Sequence, residues 1–251
     1  MPQIGKIEQR LLNEMDDNRC LHFTLVDPDI SLSRNIGKFA KIMEKAGTSA
    51  FLIGGSTGGS VYEIDQAIEE LRSSSDLPII LFPGGSRMVS RKADAILFIS
   101  LLNSTNTQYV IGEQVQGAPL IKKYGLETIP VAYLVLGDRN SSVGFVGQAN
   151  PIPFNKPAIA TSYALAAQFL GMRFVYLEAG SGAKRPVPPT VISAVRKATA
   201  MKIIVGGGIH DGDSARRVVE AGANAIVTGT LIEKRKLSEL KTIITNLSDV
   251  R

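Results

Sequence analysis

The sequence has no tryptophan and few aromatic residues of any kind, with Phe, Tyr and Trp together at 6% of 251 residues. Nucleic-acid binding commonly combines a basic stripe with interleaved aromatic side chains. Lys and Arg outnumber Asp and Glu by 28 to 23, but they form no block of like charge. We therefore expect no nucleic-acid partner, and we interpret the net charge of +5 as a solvated surface that on average favours anionic ligands.

Cysteine and long apolar runs are also scarce. Cys20 is the only cysteine, which excludes an internal disulfide and a thiolate metal cluster and suits a reducing compartment. Residues 1–12 lack the apolar core of a signal peptide. No apolar run reaches the roughly 20 residues needed to span a bilayer. The sequence predicts a cytoplasmic protein with at most transient contact with a membrane surface.

Short apolar runs recur along the whole chain. A length of 251 residues, with 44% hydrophobic and 20% charged residues, suits one large α/β domain. The runs are continuous rather than alternating, which is typical of parallel strands covered on both faces. We predict eight strands, at residues 21–26, 50–53, 78–82, 95–99, 128–136, 174–177, 202–205 and 225–227.

Helical periodicity fills several gaps between these strands. The predicted buried faces are Ile36, Phe39, Ala40 and Met43; Val61, Ile64, Ile68 and Leu71; Ile159, Tyr163, Ala166 and Leu170; and Leu240, Ile243, Ile244 and Leu247. Strands alternating with helices favour a closed barrel over an open sheet. Residues 84–94 barely hold a helix. We predict one α/β domain over residues 1–251, a single (β/α)8 TIM barrel with an incomplete third helix and its active site at the C-terminal ends of the strands.

Glycine-rich turns follow the last two predicted strands. Gly206-Gly207-Gly208 follows the seventh strand, and Thr228-Gly229-Thr230 follows the eighth. In such a barrel the loops after the strands share one face, and glycine lets backbone N–H groups approach phosphate oxygens closely. Asp211 and Ser214 suit a cap for the next helix, whose N-terminus adds positive potential. Two such turns at these strands favour a phosphate site over tight turns alone.

Carboxylates follow two other predicted strands. Asp27 and Asp29 come after the first strand, and Mg²⁺ is commonly held by one or two carboxylates together with phosphate oxygens. Asp27 lies nearer the strand and is the better metal candidate, whereas Asp29 suits a helix cap; the residues alone leave both roles open. Glu178 ends an apolar strand, where a carboxylate is costly unless it hydrogen-bonds a ligand or pairs with Lys184 or Arg185.

The sequence lacks the residues that two other kinds of site require, a zinc site and a Schiff-base lysine site. His22 and His210 are far apart and no HxxxH spacing occurs, so zinc binding is not supported, and we interpret His22 as a core residue. No lysine ends a predicted strand, which argues against a Schiff-base aldolase.

Taken together, the strand-end segments resemble those of the geranylgeranylglyceryl phosphate synthase family, which includes the bacterial heptaprenylglyceryl phosphate synthases. The likeness covers nearly the whole chain, and its most specific segment is Tyr176-Leu177-Glu178-Ala179-Gly180-Ser181-Gly182. The other segments are Leu25-Val26-Asp27-Pro28-Asp29, Phe51-Leu52-Ile53-Gly54-Gly55-Ser56, Leu81-Phe82-Pro83-Gly84, Val205-Gly206-Gly207-Gly208-Ile209 and Thr228-Gly229-Thr230.

This resemblance implies a Mg²⁺-dependent prenyltransferase of ether membrane-lipid biosynthesis, which joins C1 of a polyprenyl diphosphate to the 3-hydroxyl of sn-glycerol 1-phosphate. It implies that Asp27 and Ser56 hold Mg²⁺ and that Asp27 and Glu178 are catalytic. The family commonly has Asn where Thr230 stands, a change that a backbone contact would survive. The implied glycerol phosphate contacts are Tyr176, Leu177, Glu178, Ala179, Gly180, Ser181, Gly182, Gly207, Gly208, Gly229 and Thr230.

Chain length and assembly also follow only from the resemblance. The 251-residue length and the extended segment 140–157 look more like archaeal members, which favours a C20 geranylgeranyl substrate. A homo-oligomer, a dimer or larger, is implied. Phe82, Pro83, Leu101 and Leu102 are candidates for an apolar prenyl groove or simply for the core. Two alternatives stay open: another phosphate-binding barrel enzyme, an isomerase or a lyase, and a non-catalytic phosphate-ligand binder.

Overall fold

The computed structural model describes residues 4–17, 20–28, 36–55, 60–137, 141–229 and 237–248. Eight parallel strands close into a barrel in sequence order, with the last strand paired to the first. The strands are β1 (Leu21–Val26), β2 (Ala50–Ile53), β3 (Ile79–Leu81), β4 (Ala95–Leu101), β5 (Glu127–Val135), β6 (Phe174–Glu178), β7 (Lys202–Gly206) and β8 (Ala225–Thr228). The predicted fold class is confirmed, and the predicted strand ends agree to within two residues.

Helices connect most of the strands on the outside of the barrel. They are α1 (Lys6–Asp16), α2 (Ile36–Ala46), α3 (Val61–Arg72), α4 (Glu113–Tyr124), α5 (Ser142–Val146), α6 (Pro157–Phe169), α7 (Pro189–Ala198), α8 (Gly212–Glu220) and α9 (Leu237–Ser248). Between β3 and β4, a stretch that is described throughout, the only helical turn is the 3₁₀ turn Ser86–Met88. The prediction of an incomplete third helix is therefore confirmed. A π-helical turn, Gln108–Gly112, leads into α4.

The N-terminal end of the barrel is closed by α1. Leu11 and Met15 pack in one cluster with the side chains that fill the barrel interior. The carboxylate of Glu127, at the start of β5, accepts hydrogen bonds from the backbone N–H groups of Ile7 and Glu8 at 3.0 and 2.7 Å. This contact satisfies two of the unpaired donors at the start of the helix. A ligand therefore has access from the opposite end.

His22 lies in the core, as predicted. The imidazole is 1% exposed, with Nδ1 2.9 Å from the hydroxyl of Thr48 and Nε2 2.8 Å from the hydroxyl of Thr228. Burial lowers the pKa of His22 to about 3. The ring is therefore neutral, and it connects β1 to the end of β8 and to the segment before β2.

The predicted buried face of α6 is wrong. Its buried side chains are Ala160, Ala164 and Ala167, whereas Ile159 is 43% and Leu170 73% exposed. Small side chains let a helix pack closely on a sheet, so the larger apolar residues of this helix face outwards. No helix in the described ranges is both long and apolar enough to cross a membrane.

Candidate active site

A cavity of about 240 Å³ opens at the C-terminal end of the barrel. Its walls come from strand ends and the loops after them, which is where active sites lie in this fold. Polar residues and glycines line the part beside β6, β7, β8 and β1: Asp27, Glu178, Ser181, Gly207, Gly208, His210 and Gly229. Apolar residues line the part beside β4 and α4: Val89, Ile96, Phe98, Ile99 and Ile121. The cavity thus offers surroundings for an anionic group and for a hydrocarbon chain.

The glycine turn after β7 has a backbone conformation that other residues rarely adopt. Gly207 and Gly208 have φ angles of +79° and +69°. A Cβ on Gly207 would lie 2.5 Å from Oε1 of Glu178, and a Cβ on Gly208 would lie 2.3 Å from the carbonyl carbon of Arg185. Packing therefore requires both glycines whether or not a phosphate binds, and the same packing brings the backbone to the cavity wall.

The helix that follows this turn begins with the predicted cap. The carboxylate of Asp211 accepts a hydrogen bond from the backbone N–H of Ser214 at 2.7 Å, and the Ser214 hydroxyl accepts one from the N–H of Asp211 at 3.2 Å. The bonds from Ser214 lower the pKa of Asp211. The positive end of α8 thus starts two residues after His210 in the cavity wall, which favours an anion there.

Glu178 is buried at the end of β6, with 6% of its surface exposed. Its Oε2 accepts a hydrogen bond from the hydroxyl of Tyr133 at 2.9 Å, and its Oε1 accepts one from the N–H of Gly180 at 2.6 Å. Burial raises the pKa of Glu178, while the N–H of Gly180 and the hydroxyls of Tyr133 and Tyr176 oppose that rise. A carboxylate with a raised pKa is a better proton acceptor near neutral pH.

Glu178 forms no ion pair with a cation of the described chain, so the predicted alternative of pairing with Lys184 or Arg185 is wrong. The guanidinium of Arg185 instead lies over the ring of Phe154, 5.2 Å from its centroid. Hydrogen bonds from hydroxyl and backbone groups therefore satisfy the buried carboxylate.

Three aromatic rings that contact one another line the same cavity as Glu178. Tyr133 and Tyr176 stack with centroids 4.7 Å apart, and Phe82 stacks on Tyr176 at 5.4 Å. Burial and then the charge of Glu178 raise the pKa of both tyrosines well above the ordinary value. Both hydroxyls therefore stay protonated at neutral pH and act as hydrogen-bond donors.

Asp27 lines the cavity beyond the end of β1. Its carboxylate lies against the backbone of Gly55, because a Cβ on that glycine would be 2.8 Å from Oδ2. Within the described residues, no cluster of three or more His, Cys, Asp or Glu side chains suits a metal ion. One carboxylate at the mouth of a cavity still fits Mg²⁺, which commonly takes one or two carboxylates and fills its other positions with water and phosphate oxygens.

The predicted contact residues differ in where they lie. Tyr176, Glu178, Ser181, Gly207, Gly208 and Gly229 line the cavity. Leu177 and Ala179 pack in the outer core between the strands and the helices, and Gly180 and Gly182 belong to the loop that follows β6. Ser56 and Thr230, together with Asp29, lie outside the described residues. Of the proposed groove residues, Phe82, Pro83 and Leu101 line the cavity, while Leu102 packs against the outer core.

Sequence reasoning missed several residues that line the cavity, among them Tyr133, Glu113 and His210. Glu113 accepts hydrogen bonds from the N–H of Ser86 at 2.6 Å and from Gln108 at 2.8 Å, and so joins the loop after β3 to the start of α4. Its position at the first residue of a helix was a signal that sequence reasoning left unused.

The fold and the cavity define a class of closed α/β barrel whose open end combines glycine turns with an apolar pocket. The sequence profile of the PcrB family matches residues 13–247. A geranylgeranylglyceryl phosphate synthase from Thermococcus gammatolerans is 50% identical over 250 residues, which covers 96% of this chain and 98% of that protein. The chain therefore belongs to the PcrB family.

Solved structures agree with this assignment. The crystal structure of (S)-3-O-geranylgeranylglyceryl phosphate synthase from Thermoplasma acidophilum, in complex with its substrate sn-glycerol-1-phosphate, has a TM-score of 0.91 and 39% identity. The match covers 99% of this chain and 100% of the Thermoplasma acidophilum chain. Tryptophan synthase from Mycobacterium tuberculosis has a TM-score of 0.63 at 12% identity over 99% of both chains, which shows a shared fold alone.

Proposed function

We propose that this protein joins geranylgeranyl diphosphate to the 3-hydroxyl of sn-glycerol 1-phosphate and releases diphosphate. The observation that carries the proposal is the single cavity in which Glu178 and the glycine turns lie beside an apolar pocket. A sugar phosphate carries no long hydrocarbon chain, so an isomerase or lyase that acts on one does not account for the apolar part of the cavity. Relatives of nearly equal length bear the name geranylgeranylglyceryl phosphate synthase.

In this reaction the C1–oxygen bond of the prenyl diphosphate breaks, and a bond from C1 to the glycerol oxygen forms. The hydroxyl proton passes to the carboxylate of Glu178. Because Tyr133 and Gly180 each donate to one carboxylate oxygen, the side chain is held in one orientation. A fixed acceptor with a raised pKa suits the removal of a proton from an attacking hydroxyl.

The phosphate of the glycerol substrate would bind at the turns after β6, β7 and β8. The N–H groups of Gly207, Gly208 and Gly229 and the positive end of α8 offer binding without a lysine or arginine. None of the described residues that line the cavity is a Lys or an Arg. This arrangement suits a dianion held by backbone dipoles.

Mg²⁺ would be held by Asp27 and, from the family resemblance, by Ser56. When bound, the ion neutralises charge on the leaving diphosphate. Asp27 stands across the cavity mouth from Glu178, since β1 and β6 lie on different sides of the barrel. The two carboxylates therefore have separate tasks, one at the leaving group and one at the attacking hydroxyl.

The prenyl chain would lie in the apolar part beside β4 and α4, where the incomplete third helix leaves room. Phe82, Pro83 and Leu101 also line the cavity. We further propose that the protein works in the cytoplasm as a homo-oligomer and that contact with a membrane surface is transient. Analytical ultracentrifugation tests the assembly: a purely monomeric enzyme at working concentrations would contradict it.

The direct test is incubation with sn-glycerol 1-phosphate, Mg²⁺ and a series of C10 to C35 prenyl diphosphates. We expect ether product with the C20 substrate, loss of product on chelation of the metal, and no product with glycerol alone. Tight binding of glycerol phosphate without any transfer would indicate the non-catalytic alternative. Turnover of a sugar phosphate in place of transfer would indicate the isomerase or lyase alternative.

A further inference from the structure

Two loops that border the phosphate end of the cavity are in direct backbone contact. The first, here called the β6 loop, comprises residues 179–187, and the second comprises residues 207–210 after β7. A Cβ on Gly208 would lie 2.3 Å from the carbonyl carbon and oxygen of Arg185 and 2.6 Å from the nitrogen of Pro186. The two loops therefore meet with no space for a side chain between them.

The β6 loop contains two glycines in the left-handed region of backbone conformation. Gly180 and Gly182 have φ angles of +106° and +73°, and a turn closes with a hydrogen bond from the N–H of Ala183 to the carbonyl of Gly180 at 3.1 Å. Glycine backbones are the most costly to order. The loop thus depends on neighbouring residues to keep one conformation.

A side chain from the second loop supplies such a restraint. Nε2 of His210 is 2.7 Å from the carbonyl oxygen of Ala183. Because a carbonyl only accepts, Nε2 carries the proton and donates it. His210 also lines the cavity and is the only His, Lys or Arg among the described residues that do so.

His210 is itself firmly placed, since it precedes the cap of α8. Its backbone N–H donates to the hydroxyl of Ser214 at 3.3 Å, and the neighbouring Asp211 caps the helix. The imidazole therefore extends from a rigid helix start to a glycine-rich loop.

We propose that His210 is a positioning residue that holds the β6 loop against the turn after β7, in the conformation that binds glycerol phosphate. The proposal rests on the proposed function for the identity of the ligand. The bond to Ala183 fixes the loop that carries Gly180 to Gly182, so its loss lowers the fraction of molecules ready to bind. The prenyl site is left as it is, and once bound glycerol phosphate holds the loop in place, Gly180 donates to Glu178 as it does in the wild type.

The kinetic test compares His210→Ala with His210→Gln, because the Gln amide places a donor close to the position of Nε2. We expect His210→Ala to raise the KM for glycerol 1-phosphate about tenfold, the effect of losing one hydrogen bond. Because His210 holds only the loop that binds glycerol phosphate, we expect the KM for prenyl diphosphate and kcat to change less than about twofold. His210→Gln restores most of the affinity. An unchanged KM, or equal losses in kcat and both KM values in the two variants, would overturn the proposal.

A second measurement is independent of turnover. Lys184 lies exposed in the β6 loop and offers a trypsin site there. Opening of the loop lets its backbone enter the protease active site, so we expect faster cleavage after Lys184 in His210→Ala than in wild type or in His210→Gln. Glycerol 1-phosphate or inorganic phosphate slows the cut in all three proteins.

Cleavage after Lys184 at the wild-type rate in His210→Ala would overturn the proposal even if the KM rose. If the wild-type protein instead shows no prenyl transfer, the proposed function fails while the proteolysis still tests the contact of His210 with the loop. The two failures are therefore distinguishable.

Discussion

We expect acidification to destabilise this protein through the buried imidazole of His22. The ring is 1% exposed between Thr48 and Thr228. Burial lowers its pKa from 6.5 to about 3. Between these values the unfolded chain binds a proton that the folded chain does not. This contribution to stability is therefore fully present above pH 6.5 and is lost as the pH falls towards 3.

The magnitude follows from the pKa difference. One pKa unit corresponds to about 1.4 kcal/mol, so the whole difference amounts to about 5 kcal/mol, of which about 2 kcal/mol is lost by about pH 5. Since folded domains are stable by only about 5 to 15 kcal/mol, the loss is large enough to measure.

The assay is guanidinium unfolding at a series of pH values from about 7.5 to about 4, for wild type and His22→Gln. Glutamine keeps a donor and an acceptor without titrating, so the variant loses the steep part of the pH dependence. The raised pKa of Glu178 acts with the opposite sign but is common to both proteins and cancels in the difference. An equal loss of stability in the two proteins on acidification would refute the reasoning.

Three further predictions concern the candidate site. Asp27→Asn abolishes product formation while calorimetry still detects glycerol 1-phosphate binding; normal turnover would remove Asp27 from the mechanism. Gly207→Asp weakens glycerol phosphate binding by about tenfold or more, since its Cβ would meet Glu178 at 2.5 Å and its charge repels the phosphate; equal affinity by calorimetry would contradict the phosphate assignment. Tyr133→Phe removes a donor that lowers the pKa of Glu178, so the acidic limb of the kcat/KM profile moves to higher pH; an unmoved limb would argue against Glu178 as the base.

The strands of this fold can be predicted from sequence, because each is covered on both faces and forms a continuous apolar run. The same property hides which side chains face the interior. Tyr133 and Leu134 are both buried, yet only Tyr133 lines the cavity, and no alternation in the sequence separates them. The contact between Tyr133 and Glu178 therefore required the three-dimensional register.

The buried face was predicted correctly for α9 and wrongly for α6. The large apolar residues of α9 pack inwards as predicted, with Leu240 and Ile243 at 0% exposure. In α6 the face buried by the barrel consists of alanines, and hydropathy points to the wrong side because it ranks Ile and Leu above Ala. The role of His210 was equally hidden, because it depends on a carbonyl 27 positions away in the chain.

Because no full helix lies in the fully described stretch between β3 and β4, the two ends of the cavity are bounded by different kinds of structure. Glu178 lies at the end of β6 and contacts Tyr133 of β5, whereas the apolar part is bounded by the 3₁₀ turn Ser86–Met88 and the start of α4. The end of the cavity beside Glu178 is built on the barrel strands, and the other end is built on short helical turns that Glu113 joins by hydrogen bonds. We expect substitutions in the wall of the apolar part to change the prenyl chain length that the enzyme accepts without altering the ether bond that it forms.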